Sequence, residues 1–231
     1  MPALPDPAAL SELVLFRDLE PEQLSWLNDH LHLKTFPAGS NIVAAEQPGE
    51  VVYIILEGTI KISIEQVDGA EVILAILGPG DTVGELSLID SAGRSANVVT
   101  MERSSLVWMD RDTFWESLQK MPVITYELLH VLGDRLRLAN EQIQALATLD
   151  IYGRVARQIL AIAGRYGQVT SDGEIVIPIR LTQSDIASLV GASRERVNQV
   201  MVAYKQQNYI SIDQNYRITI HDRQALVQRC R

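Results

Sequence analysis

The chain has 231 residues, 47% of them apolar, with 29 acidic against 20 basic side chains and a formal net charge of −9. That length fits one large or two small domains around a buried core, and no apolar run reaches the roughly 18 residues of a membrane span. One cysteine, Cys230, excludes an intramolecular disulfide and any four-cysteine metal or iron–sulfur site.

The charge is unevenly spread. Residues 1–150 hold 9 Lys and Arg against 23 Asp and Glu, a net of −14, whereas residues 151–231 hold 11 against 6, a net of +5. An acidic first part and a basic second part predict that only the second meets nucleic-acid phosphate. The start, Met1-Pro2-Ala3-Leu4-Pro5-Asp6-Pro7, lacks the basic residues and apolar stretch of a signal peptide, so a cytoplasmic protein is expected.

Residues 10–32 read as helix, with apolar positions at Leu10, Leu13, Leu15, Phe16, Leu19, Leu24, Leu27 and Leu31 and a break at residues 18–21. From Leu33 the period changes to two. Strands are predicted at 33–36, 41–45, 51–57, 59–65, 71–77, 81–83, 95–101 and 104–110. Turn signals separate them at Pro37-Ala38-Gly39, Gln47-Pro48-Gly49, Glu57-Gly58, Val67-Asp68-Gly69 and Gly78-Pro79-Gly80. Short strands at this spacing predict an antiparallel barrel or double-sheet roll. Rolls that catalyse usually hold a metal with clustered His and a carboxylate. His30 and His32, the one close pair, precede the barrel, and it contains no Ser-His-Asp or Cys-His set. A binding roll is therefore expected rather than a cupin-like enzyme, with no metal.

Residues 80–99 centre on Gly84-Glu85, then eight residues, then Arg94-Ser95-Ala96. Small residues let the backbone approach a ligand and turn its N–H groups toward an anion. The Ser-Leu-Ile after Glu85 can form one helical turn, whose start also favours negative charge. Arg94 offers a planar fork for two phosphate oxygens, and Ser95 adds a hydroxyl. Glu85 repels phosphate and suits a hydroxyl donor such as a ribose 2′-OH. The alternative is a barrel turn carrying a surface Glu and Arg.

The ordered run Gly-Asp-Thr-Val-Gly-Glu-Leu-Ser-Leu-Ile-Asp-Ser-Ala-Gly-Arg-Ser-Ala resembles the phosphate-binding cassette of the cyclic-nucleotide-binding domain family. The resemblance implies a ligand site of Val83, Gly84, Glu85, Leu86, Ser87, Arg94, Ser95 and Ala96.

Residues 113–149 read as helix with a break near Met121-Pro122. Leu128, Leu132, Leu136, Ala139, Ile143 and Leu146 then follow at nearly heptad spacing, which predicts a helix seam and a symmetric dimer. The alternative is an amphipathic helix on the domain's own core. Arg135 is placed either to reach the pocket or to pair with Asp134 or Glu141 on the surface. In the resembling family this helix closes over the ligand's base, with one residue donated by the partner subunit. The resemblance places Ala139 and Asn140 there, where the best-known cyclic-AMP receptors carry two hydroxyl residues. Asp150 is predicted to cap a helix at 151–166 and to mark a hinge.

A short strand is predicted at 173–179. Thr182 and Asp185 form a capping box for a helix at 185–189. Gly191 ends it, and Ser193 caps a helix at 194–207 with Val197, Val200, Met201 and Tyr204 inward. Ala187, Gly191 and Val197 have the spacing of a helix-turn-helix. Strands at 209–212 and 216–220 complete a wing around Asp213-Gln214-Asn215. The run Gly-Ala-Ser-Arg-Glu-Arg-Val resembles the helix-turn-helix of the cyclic-AMP receptor and FNR family of bacterial regulators. Arg194 suits guanine, Glu195 cytosine and Gln199 adenine. Thr182, Gln183, Ser184, Ser193 and Arg196 are the expected phosphate contacts.

The expected protein is thus α+β: an N-terminal cyclic-nucleotide-binding β-roll (1–120), a dimerisation helix and hinge (121–150), and a winged helix-turn-helix (151–231). The resemblance implies a homodimer on palindromic double-stranded DNA, controlled by a cyclic nucleotide, cAMP foremost, with RNA polymerase as a further partner and no membrane. Cyclic GMP, a cyclic dinucleotide, another small anion or no effector are the alternatives.

Overall fold

The computed structural model describes residues 10–45, 49–90 and 93–230. The N-terminal seven residues, Gln47-Pro48 of a predicted turn and Ser91-Ala92 of the cassette lie outside them. The chain divides into two compact units, Met1–Ile64 with Ala75–Leu136 and Glu65–Leu74 with Arg137–Arg231.

The first unit opens with a correction. Of the predicted 10–32 helix, Leu10 and α1 (Pro21–His30) are helical, and residues 11–18 form successive turns. Their N–H groups bond three residues back: Leu13 to Leu10, Phe16 to Leu13, Leu19 to Phe16. Those four side chains are buried at a spacing of three, which imitates a helical stripe. Helix α1 begins where Pro21 supplies the fixed φ of a first helical residue and Glu20 and Gln23 cap reciprocally.

Among the described residues eight strands follow: β1 (His32–Phe36), β2 (Asn41–Val43), β3 (Val51–Glu57), β4 (Ile60–Glu65), β5 (Glu71–Leu77), β6 (Thr82–Val83), β7 (Asn97–Thr100) and β8 (Ser104–Asp110). They form two four-stranded sheets, ordered β1-β8-β3-β6 and β2-β7-β4-β5. Strand β3 pairs antiparallel with β8, Val52 opposite Met109, Tyr53 opposite Trp108, Ile54 opposite Val107 and Ile55 opposite Leu106. Alternate side chains leave opposite faces of a strand, so these two strands feed two cores. Val52, Ile54, Val107 and Met109 join Leu24, Leu27, Phe114, Ile124 and Leu128 under the helices. Tyr53, Ile55 and Leu106 join Ile60, Leu77, Val83 and Val98 inside the roll. A one-residue slip would exchange the two sets. Each fully buried Ile or Leu contributes about 1.5–3 kcal/mol, which fixes the register and hence the cassette between β6 and β7.

The short helix α2 (Glu85–Asp90) lies in that cassette. After β8, Asp110 caps α3 (Arg111–Lys120), accepting from Thr113 N at 2.8 Å. The chain breaks at the buried Met121, and Pro122 starts α4 (Pro122–Thr148). The predicted seam of α4 divides. Leu128 and Leu132 pack on the helix-covered core of the first unit. Leu136 and Ile143 are 63% and 65% exposed, and Leu129, which the seam omitted, is 63% exposed. Leu129, Leu136 and Ile143 repeat every seven residues, so they form one apolar stripe along the helix.

The second unit contains α5 (Ile151–Tyr166), β9 (Gln168–Val169), β10 (Ile175–Ile177), α6 (Gln183–Val190), α7 (Arg194–Gln206), β11 (Ile210–Ile212), β12 (Ile218–Ile220) and α8 (Arg223–Arg229). Its sheet is ordered β11-β12-β10-β9. Asp150 caps α5 by accepting from Gly153 N at 2.8 Å. Val155, Ile159, Ile186, Val197, Val200, Met201, Tyr204 and Leu226 form the core. Burial raises the Tyr204 phenol well above its ordinary pKa, and its OH donates to Tyr152 O at 2.8 Å. Gly191 adopts left-handed φ +62° to end α6, which turns the chain into α7.

Candidate functional site

The cassette builds a small cleft with about 80 Å³ of internal volume. Val83, Gly84, Glu85, Leu86, Ser87, Arg94, Ser95 and Ala96 all line it. Glu85 and Arg94 are only 2% and 7% exposed. A surface Glu and Arg on a barrel turn is therefore not what the fold makes.

The guanidinium of Arg94 is held by main-chain oxygens. Its Nη1 donates to Gly84 O at 2.9 Å and its Nη2 to Val51 O at 2.8 Å. These neutral acceptors fix the group without cancelling its charge. Burial lowers the Arg94 pKa, opposed by the nearby Tyr53, Glu85 and Glu50, and an arginine stays protonated all the same. Burial likewise raises the pKa of Tyr53, and the positive charge of Arg94 pulls it partly back. Gly84 permits the approach: at φ +90°, an added Cβ would lie 2.2 Å from Arg94 Nη1. Gly49 is needed for closeness rather than for positive φ, since a Cβ there would sit 2.2 Å from that of Ser87.

Arg135 resolves toward the pocket. Its Nη1 donates to Glu85 Oε1 at 2.6 Å and its Nη2 to Thr82 O at 2.5 Å. The other oxygen, Glu85 Oε2, is buried with no partner among the described residues. An unpaired buried carboxylate oxygen costs free energy unless something donates to it. A ligand hydroxyl is the kind of group that fits, and Arg94 with the Ser95 hydroxyl fits a phosphate beside it.

Sequence reasoning missed the apolar wall of the cleft, Val43, Ile62, Leu77 and Val98. Strand alternation marked these positions as inward but could not say that they face a ligand. Ala139 and Asn140 are exposed on α4, in the second unit.

In the second unit, Ser193, Arg194, Glu195, Arg196 and Gln199 all lie exposed at the start of α7, and Ser184 is exposed on α6. Three expected phosphate contacts are already engaged. The Thr182 hydroxyl belongs to the capping box, donating to Asp185 Oδ2 at 2.5 Å and accepting from Asp185 N at 3.2 Å. Gln183 Nε2 donates to Asn198 Oδ1 at 2.8 Å. Ser193 Oγ accepts from Arg196 N at 3.3 Å. The last carbonyls of α6 are satisfied from outside: Leu189 O by Gln142 Nε2 at 3.0 Å and Val190 O by Arg154 Nη1 at 2.9 Å. Neither Gln142 nor Arg154 was legible as a support of this turn.

These two constellations, a cleft around the buried Glu85 and Arg94 and an exposed basic helix in a helix-turn-helix, lie in regions that match known families. Residues 33–121 match the cyclic nucleotide-binding domain, and residues 153–229 match the Crp-like helix-turn-helix domain. The CRP-like cAMP-activated global transcriptional regulator of Mycobacterium tuberculosis is 36% identical over 222 residues, covering 96% of this chain and 98% of that protein. The cAMP-activated global transcriptional regulator CRP of Salmonella typhimurium is 30% identical over 201 residues, covering 86% of this chain and 94% of that one. The chain belongs to the CRP/FNR family of transcription regulators. The fold agrees: FixK2 of Bradyrhizobium japonicum superposes with a TM-score of 0.74 at 20% identity, over 86% of this chain and 96% of that structure.

As a CRP/FNR member the protein is a DNA-binding regulator with a cyclic-nucleotide-binding domain, and these relatives are named transcriptional regulators, not enzymes. Among the described residues no helix is long and apolar enough to cross a membrane.

Proposed function

We propose that the protein is a homodimeric cytoplasmic regulator whose effector is cyclic AMP and whose target is a palindromic DNA site. One observation carries the effector reading: Glu85 and Arg94 are buried side by side in one cleft, and Glu85 keeps an oxygen without a donor. The ribose 2′-OH donates to Glu85 Oε2, while the cyclic phosphate accepts from Arg94 and Ser95. Val83, Gly84, Leu86, Ser87 and Ala96 shape the contact, and Arg135 braces Glu85.

The dimer reading rests on the apolar stripe of Leu129, Leu136 and Ile143, which is exposed in one chain and self-complementary about a two-fold axis. In that dimer Ala139 and Asn140 come to the base, one of them from the partner. Residues 121–150 then serve as interface and hinge between an effector domain at 1–120 and a reader at 151–231. Two readers on one axis meet half-sites about one helical turn apart, and RNA polymerase is the expected downstream partner. Ligand binding acts only through differential affinity for two arrangements.

Titration calorimetry with cyclic AMP, cyclic GMP and a cyclic dinucleotide tests the effector, and anisotropy on a palindromic duplex with and without each tests the coupling. Cyclic AMP is expected to bind and to tighten DNA binding. No heat with cyclic AMP ends that reading. A second reading, a different cyclic nucleotide, is favoured by one feature: Ala139 offers no side-chain hydrogen bond to a base, and Asn140 both donates and accepts.

A further inference from the structure

We infer that Asn198 is a base-reading residue, held for that task by Gln183, and that the pair selects an A·T base pair in each half-site. This goes beyond Arg194, Glu195 and Gln199 and rests on the reading that α7 enters the major groove.

The geometry starts from helical spacing. Val197, Val200, Met201 and Tyr204 are buried and define the inner face of α7. At 100° per residue, Glu195, Asn198 and Gln199 turn away from that face and Arg194 lies at its edge on the first turn, and all four are exposed. Arg194 and Asn198 are four apart, as are Glu195 and Gln199, so the four form two adjacent rows. Asn198 therefore sits one turn further along the row that Arg194 begins.

An exposed Asn on a helix normally samples several rotamers, and ordering it costs free energy on binding. Here Gln183, the first residue of α6, reaches across the turn and donates to its carbonyl at 2.8 Å. One amide is thereby oriented by another before DNA arrives. Asn198 still has both N–H donors on Nδ2 and a second lone pair on Oδ1. That donor–acceptor edge complements N7 and the N6 amino group of adenine in the major groove. Gln183 retains Oε1 and one N–H, enough to touch DNA as well as brace its partner. It is a positioning residue whose place in the reader depends on Asn198.

The test uses the full chain with its effector and a set of duplexes carrying every single-pair substitution in the half-site preferred by the wild type. Asn198→Ala is expected to lose about tenfold discrimination at one A·T pair and to keep the profile elsewhere. Gln183→Ala should relax the same pair, and the double variant should look like Asn198→Ala alone, because the brace has nothing left to hold. Asn198 is exposed and Gln183 half-buried at the helix start, with only the bond between them lost, so thermal unfolding should change little. A uniform loss on all duplexes would make Asn198 a phosphate contact and overturn the inference, as would an unchanged profile. Relaxation at one pair in Asn198→Ala but not in Gln183→Ala would remove the brace. If the wild type prefers no sequence, the groove-reading role of α7 fails, and this inference fails with it.

Discussion

The cleft and the reader handle charge in opposite ways. In the cleft, Glu85 and Arg94 are buried, and the bonds that hold them are made before any ligand arrives. In the reader, Arg194, Glu195 and Arg196 stand exposed at the start of α7. A buried charge is positioned at high desolvation cost and tolerates few ligands. An exposed charge is cheap to carry and loses its water only on binding. The first arrangement suits a single small effector, and the second suits a long polyanion met at many points.

The largest break in that comparison is Arg94→Ala. Removing one partner of a desolvated ionic contact costs about 2–5 kcal/mol, so cyclic-nucleotide affinity measured by calorimetry should fall by that amount. Gly84→Ala should produce a similar loss with every charge retained, because its Cβ would lie 2.2 Å from Arg94 Nη1 and displace the guanidinium. If Gly84→Ala binds nucleotide like the wild type, Arg94 does not need the position it occupies here.

Next in size is Arg194→Ala, expected to cost about 1–3 kcal/mol at one base pair and little elsewhere. Arg196→Ala should instead weaken all duplexes alike and reduce the slope of log affinity against log salt by about 1. Nucleotide affinity of the wild type should respond to salt far less than DNA affinity does, since buried charges are screened little. Equal salt slopes for nucleotide and DNA would erase the distinction between the two regions.

These contrasts were unequally visible in the chain. Strands β3, β5 and β8 were readable to the residue because each is a short, nearly continuous apolar run, with Gly49 and Gly58 marking turns beside β3 and Gly78 the turn after β5. Capping residues made α5 equally readable, with Asp150 at its start. The failure at residues 11–18 has a clear cause, since turns that bury every third residue carry nearly the period of a helix. Helix α8 was missed because seven residues with one buried side chain, Leu226, give little pattern, although Asp222 caps it. The cassette was legible as residue types, and its burial was not. The contact of Arg135 with Glu85 spans fifty positions, and no local pattern encodes a pairing that only the packing of α4 on the roll creates. The same holds for Gln142 on Leu189 O and Gln183 on Asn198.

A smaller effect separates two glycines that both need positive φ. Gly191 is at φ +62°, and its Cβ would meet Leu146 Cδ2 at 3.5 Å and Arg154 Nη1 at 3.9 Å, both ordinary contacts. Gly191→Ala should therefore cost about 1–2 kcal/mol of stability, the penalty of a left-handed residue bearing a Cβ, with no loss of nucleotide affinity. Urea unfolding and calorimetry on the same preparation check both halves. A loss of nucleotide binding in this variant would show that the turn before α7 and the cleft are not energetically separate.

The smallest effect separates carboxylate caps, present in both regions at Asp110, Asp150 and Asp222, from the hydroxyl caps of the reader. Helix α3 is capped by a carboxylate, Asp110, whereas α6 and α7 are capped by the hydroxyls of Thr182 and Ser193. The Asp110 pKa is held below its ordinary value, first by the hydrogen bond from Thr113 N and then by one from the Thr113 side chain. Its stabilisation is therefore complete above the unfolded pKa near 3.9 and is lost as pH falls through the lower folded value. Asp110 is exposed, so solvent screening keeps this contribution small. Asp110→Asn keeps an acceptor at the cap and should match the wild type at pH 7, with a shallower fall in stability below about pH 4. Asp110→Ala should lose about 1 kcal/mol at pH 7 and show the same shallow fall. Ser193→Ala should lose a similar amount at every pH, because a hydroxyl does not titrate in this range. Were Asp110→Asn to keep the full acid sensitivity of the wild type in urea melts across pH 3–7, that sensitivity would belong to other carboxylates of the acidic first 150 residues.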